Sequence, residues 1–119
     1  MSNAIEEQIE EISVSIEEAN KVINQSKSLK KLLKNKDFIG IISEGYCKNE
    51  ALRLVMLKAD PNLCMDKDIM ADVNNQLTSI SYLNRYFRQI MQLGIQAEKA
   101  LVESNKEQDE LLQEMQQIA

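Results

Sequence analysis

Residues 69 to 118 contain no proline and a single glycine, Gly94, and their apolar and small side chains return at alternating steps of three and four. Ile80, Leu83, Phe87, Ile90, Gly94, Ala97, Leu101, Ser104, Gln108, Leu111, Met115 and Ile118 make a heptad seam sustained over five repeats. As a helix this run would be about 75 Å long at ~1.5 Å per residue. A chain of 119 residues cannot bury such a rod in a compact domain, so something must pack along it.

The candidate is at the other end of the chain. Residues 4 to 35 carry a second seam, Ile5, Ile9, Ile12, Ile16, Ala19, Ile23, Ser26, Lys30 and Leu33. One helix cannot cover its own stripe, so an isoleucine-rich seam seeks a partner. Laid antiparallel, the seams match by size. Ile5 meets Ile118, Ile12 meets Leu111, Ala19 meets Ser104, Ser26 meets Ala97 and Leu33 meets Ile90, with Lys30 passing outward near Gly94. A one-heptad slip mixes sizes less tidily.

Between the seams, Asp37 is placed to cap a short helix through Ser43, and Gly45 to end it in a left-handed turn. Asn49 is placed to cap a second helix, residues 50 to 58, with Ala51, Leu54, Val55 and Met56 as its apolar face. Asp60-Pro61-Asn62 reads as a turn, and Asp66 as the cap of the long helix. The expected fold is all-α: a long antiparallel two-helix coiled-coil hairpin with a small head of short helices. It forms one domain, residues 1 to 119, with a stem of 4–35 and 88–118 and a head of 36–87. The head helices should pack on Ile69, Val73, Leu77, Ile80, Leu83 and Phe87.

Composition narrows the function. Three glycines, one proline and 4% aromatics favour few, long helices over sheet. A net charge of −5 argues against general nucleic-acid binding. Two cysteines and no histidine fall short of a structural zinc set, so neither metal nor cofactor is expected. Cys47 and Cys64 read as reduced thiols. No run approaches a membrane span, and the acidic N-terminus lacks the apolar core of a secretory leader. The expected location is the cytoplasm.

Without histidine no nucleophile–base–orienter set is present, and an enzyme is not expected. The glutamate pairs Glu6-Glu7, Glu10-Glu11 and Glu17-Glu18 point to different helix faces and read as solvated. Asp60, Asn62, Asp66 and Asp68 lack the glycine and closing glutamate of a calcium loop. Residues 4 to 20 hold six glutamates and no lysine, and residues 98 to 119 hold six acids against two lysines. A hairpin sets these side by side, which loosens that end or favours a basic partner.

Two groups remain as candidate partner-binding residues. Lys27, Lys30, Lys31, Lys34 and Lys36 form a basic block, with Arg85 and Arg88 brought alongside by the hairpin. Off the main seam lie Val14, Val22, Leu29, Met91, Ile95, Val102 and Leu112, more than two helices can cover. A homo-oligomer or larger protein assembly is their natural sink.

Residues 32 to 63 read LLKNKDFIGIISEGYCKNEALRLVMLKADPNL. A leucine pair (Leu32, Leu33), Asp37-Phe38, Gly45-Tyr46, Arg53-Leu54-Val55 and Ala59-Asp60-Pro61 follow in order. The stretch resembles the central segment of a family of small all-helical proteins encoded by tailed bacteriophages, with Cys47 in place of a larger side chain. The resemblance implies a phage origin, a virion or assembly role in the host cytoplasm or on the particle, and no catalytic residues. The expected function is therefore a non-enzymatic interaction or structural protein. The alternatives are a prefoldin-like holdase, which the absence of alternating strand patterns in residues 36 to 65 disfavours, and an acidic inhibitor of a host nucleic-acid-binding enzyme.

Overall fold

The computed structural model describes residues 2 to 118, apart from the Ser2 side chain. They form α1 (Ser2–Leu32), α2 (Lys36–Phe38), a π-helical segment (Ile39–Glu50), α3 (Ala51–Ala59) and α4 (Lys67–Ile118), with no strand among the described residues. Two compact units can be distinguished, Met1–Ser28 with Ile90–Ala119, and Leu29–Gln89.

The first unit is an antiparallel coiled coil of α1 against the second half of α4. Ser26 stands beside Gly94, and the Gln108 side-chain amide donates to Ser13 Oγ at 3.0 Å, so one helix number rises as the other falls. The seam residues are the covered ones. Ile23, Ser26, Ile90 and Gly94 are buried. Ile5, Ile9, Ile12, Ile16, Leu101, Leu111 and Met115 are half-buried, while Ile118 is exposed. Two helices alone leave the outer part of the seam partly wet.

The register differs from the size-matched one. Ser26 faces Gly94, three residues short of the expected Ala97, and occupies the space that had been given to the Lys30 stem. The reason is hydrogen bonding as well as size. Ser26 Oγ donates to the Ile23 carbonyl at 2.9 Å, which satisfies a buried hydroxyl locally and lets its small side chain sit against bare backbone.

The second unit is built on the first half of α4. Leu54, Val73 and Ile80 form its buried core, packed round by Tyr46, Cys47, Ala51, Leu57, Ile69 and Leu77. Phe38 and Phe87 meet with ring centroids 6.0 Å apart and planes tilted by 54°, a favourable aromatic geometry.

Its local signals are partly as expected. Asp66 caps α4, accepting from the backbone N–H groups of Asp68 at 3.0 Å and Ile69 at 3.1 Å. Asp60 is extended before Pro61 and accepts the Asn62 N–H at 2.8 Å, closing the turn. The helix start after α1 is different. Asn35 rather than Asp37 is the cap, extended at ψ 126 and accepting the Phe38 N–H at 3.0 Å.

The two short helices are also one. α2, the π-helical segment and α3 run on without a break, Gly45 has no left-handed φ, and Asn49 caps nothing. Phe38, Ile42, Tyr46, Glu50 and Leu54 are all at least half-buried at steps of four. A four-residue step drifts by about 40° per turn of an α-helix. The wider π turn removes that drift and keeps one face on α4.

Candidate interaction surface

The chemistry-bearing side chains lie on helix exteriors. Lys27, Lys30, Lys31, Lys34, Arg85 and Arg88 are all exposed. Among the described residues the one ion pair is Arg53 with Glu50, in which Arg53 Nε lies 3.1 Å from both carboxylate oxygens. The Arg53 guanidinium holds the Glu50 carboxyl below its usual range. Among the described residues the α1 lysines and glutamates therefore have no charged partner.

The off-seam apolar residues divide. Ile95 is 53% and Val102 70% exposed, and Val14 and Leu112 are exposed as well. Val22 and Met91 are half-buried. Leu29 is buried, so its side chain is already covered by the fold and leaves the candidate set.

Two open grooves run along one flank of the coiled coil. One, about 400 Å³, has Ile12 and Leu111 at its floor and Glu11, Glu107, Glu110 and Glu114 at its rims. The other, about 320 Å³, is lined by Ser15, Ala19, Val22, Leu93, Ala97 and Ala100. Like charges thus crowd the end of the coiled coil that holds residues 5 to 12, as the acidic segments imply. The described residues contain no group of three side chains arranged to hold a metal ion.

Sequence patterning missed a further surface. Val55 and Met56, expected to face inward, are exposed, as are Leu52 and Ile41, with Met56 at 66%. The inward face of α3 is Ala51, Leu54 and Leu57 instead. The signal was there: ALRLVMLKA is apolar nearly all round, which leaves an apolar side outward whichever face is buried.

Cys47 is half-buried and Cys64 exposed, and neither is disulfide-bonded. Burial pushes the Cys47 thiol up, away from the thiolate. No helix is long and apolar enough to cross a membrane. No protein-family model, curated protein or solved structure matches the chain.

Proposed function

We propose that the protein is a non-enzymatic interaction protein, a structural or assembly component of a tailed bacteriophage that works through helix surfaces. The observation that carries this reading is the exposed apolar face of α3, Leu52, Val55 and Met56 at helical steps of three and four. Clustered apolar side chains on an otherwise charged exterior mark a protein-binding face. The phage assignment rests on the resemblance of residues 32 to 63, a stretch that includes this face.

The prefoldin-like reading draws no support from residues 36 to 65, which are helical and turn rather than β-hairpin. An acidic mimic of nucleic acid would use the Glu11 and Glu107 groove, and its binding to a host enzyme would fall steeply with salt.

The test is co-sedimentation of the purified chain with phage particles, comparing wild type with Leu52→Lys/Met56→Lys. Retention of the wild type and loss of the variant are expected. Equal retention of both, or of neither, sinks the reading. A holdase would instead suppress aggregation of an unfolded client at stoichiometric ratios.

A further inference from the structure

α1 is divided by charge. Residues 4 to 20 carry six glutamates and no lysine, and residues 21 to 32 carry four lysines and no acid. None of these side chains pairs within the chain among the described residues. At about 100° per residue, Glu6, Glu10, Ser13 and Glu17 share one exposed stripe with Asn20, Asn24, Lys27 and Lys31. That stripe lies on the flank opposite the Ser15 and Ala19 groove, and the bond from Gln108 to Ser13 ties it to the edge of the α4 seam.

On α4 the matching flank carries Met91, Ile95, Glu98, Val102, Asn105, Asp109 and Leu112, again at steps of three and four. The charged stripe of α1 and a stripe of α4 that mixes apolar side chains with Glu98 and Asp109 therefore share a single face of the coiled coil.

We infer that this face binds a second copy of the chain, antiparallel, about a two-fold axis level with Val102. This rests on the interaction reading above and names the partner for a different surface. The α1 stripe is symmetric about the point between Glu18 and Ala19. An antiparallel copy therefore sets Glu6 against Lys31 and Glu10 against Lys27. It also sets Ser13 against Asn24 and Glu17 against Asn20. Every one of these pairs is attractive or neutral, and each occurs twice.

The two helices agree on where the axis lies. The Ser26–Gly94 contact and the Ser13–Gln108 bond place the α1 midpoint level with about residue 102 of α4. The α4 stripe is symmetric about that same residue. Val102, the most exposed large apolar side chain among the described residues of the coiled coil, meets its own copy, and Met91 meets Leu112. Ile95 falls opposite Asp109, which limits the strength of the pairing. A parallel copy would lay the α1 glutamates beside the acids of residues 98 to 119, and charge rejects it.

The test uses the full chain in sedimentation equilibrium at 50 and 500 mM salt. The wild type should dimerise reversibly, with Kd rising about tenfold at the higher salt as the exposed ion pairs are screened. Lys27→Glu/Lys31→Glu and Glu6→Lys/Glu10→Lys should each be monomeric while keeping wild-type helicity. Mixed in equal amounts they should form a one-to-one heterodimer, since all four ion pairs are attractive again, two with the native sign and two reversed. Val102→Lys should abolish both homodimer and heterodimer. A wild type that stays monomeric at low salt overturns the inference, as does a dimer that neither charge reversal weakens. A monomer that still co-sediments with phage particles overturns this pairing alone and leaves the interaction function standing.

Discussion

Ser26 and Gly94 touch so closely that a Cβ built on the glycine would lie 2.5 Å from the serine Cβ. The contact involves the stiff base of a side chain rather than a flexible tip, so relief requires the helices to part.

Gly94→Ala sets two effects against each other. Alanine in a helix interior is worth about 1 kcal/mol over glycine. Overpacking a closed contact costs about 1–3 kcal/mol. The overlap wins, and the variant should lose about 1 kcal/mol, read as a melting temperature a few degrees lower. Adding Ser26→Gly should recover part of the packing loss, giving a favourable coupling in a double-mutant cycle. A stabilised Gly94→Ala chain would show that the two helices are not in this register.

Gly40 and Gly45 offer a matched comparison five residues apart. A Cβ at Gly45 would sit 2.7 Å from the Gly40 carbonyl oxygen, whereas a Cβ at Gly40 meets nothing within 4 Å. Gly45→Ala should therefore destabilise and disturb the π-helical turn, visible as faster amide exchange across Ile39–Glu50. Gly40→Ala should be neutral or stabilising by up to about 1 kcal/mol. The reverse order of the two variants in urea unfolding would contradict the wide-turn geometry.

These glycines show where sequence patterning stops. The seams were legible because heptad spacing is a property of two rods in contact, and Ile23, Ser26, Ile90 and Gly94 are buried where the pattern put them. Register was less so, because size matching cannot register a serine that satisfies its own hydroxyl on Ile23. The π-helical segment from Ile39 to Glu50 was misread because a 3.6-residue template has no place for a π turn, so Gly45 looked like a stop signal. Val55 and Met56 were turned inward for another reason, because ALRLVMLKA is apolar nearly all round and offers no single inward face. The exposure of the lysines was readable because a lysine run needs no tertiary context to be solvated, and that of Ile95 and Val102 because both lie off the heptad seam.

Leu54 and Met56 are two residues apart on α3 and opposite in exposure, 0% against 66%. Leu54→Ala empties the centre of the second unit's core and should cost about 2–5 kcal/mol. Met56→Ala removes a side chain already in water and should change stability by less than about 0.5 kcal/mol. If Met56→Ala proved as costly as Leu54→Ala, the outward face of α3 would be a covered one.

Glu50 joins the π-helical segment to α3, and its carboxylate is held by Arg53, whose hydrogen bonds and charge favour the ionised form. Its titration midpoint in the folded chain should fall below that of an unpaired glutamate, measured by side-chain carboxyl NMR shifts. A depressed folded-state pKa means the unfolded chain takes up the proton first as pH drops. The pair's contribution is thus fully present above the ordinary glutamate pKa and is lost as pH falls through the lower folded value. Arg53→Gln should return the Glu50 midpoint to the ordinary range and remove that part of the acid dependence, leaving neutral-pH helicity unchanged. Because the pair is solvent-exposed, its effect should also shrink as salt is raised. A Glu50 midpoint that ignores Arg53→Gln would mean that the pair does not persist in solution.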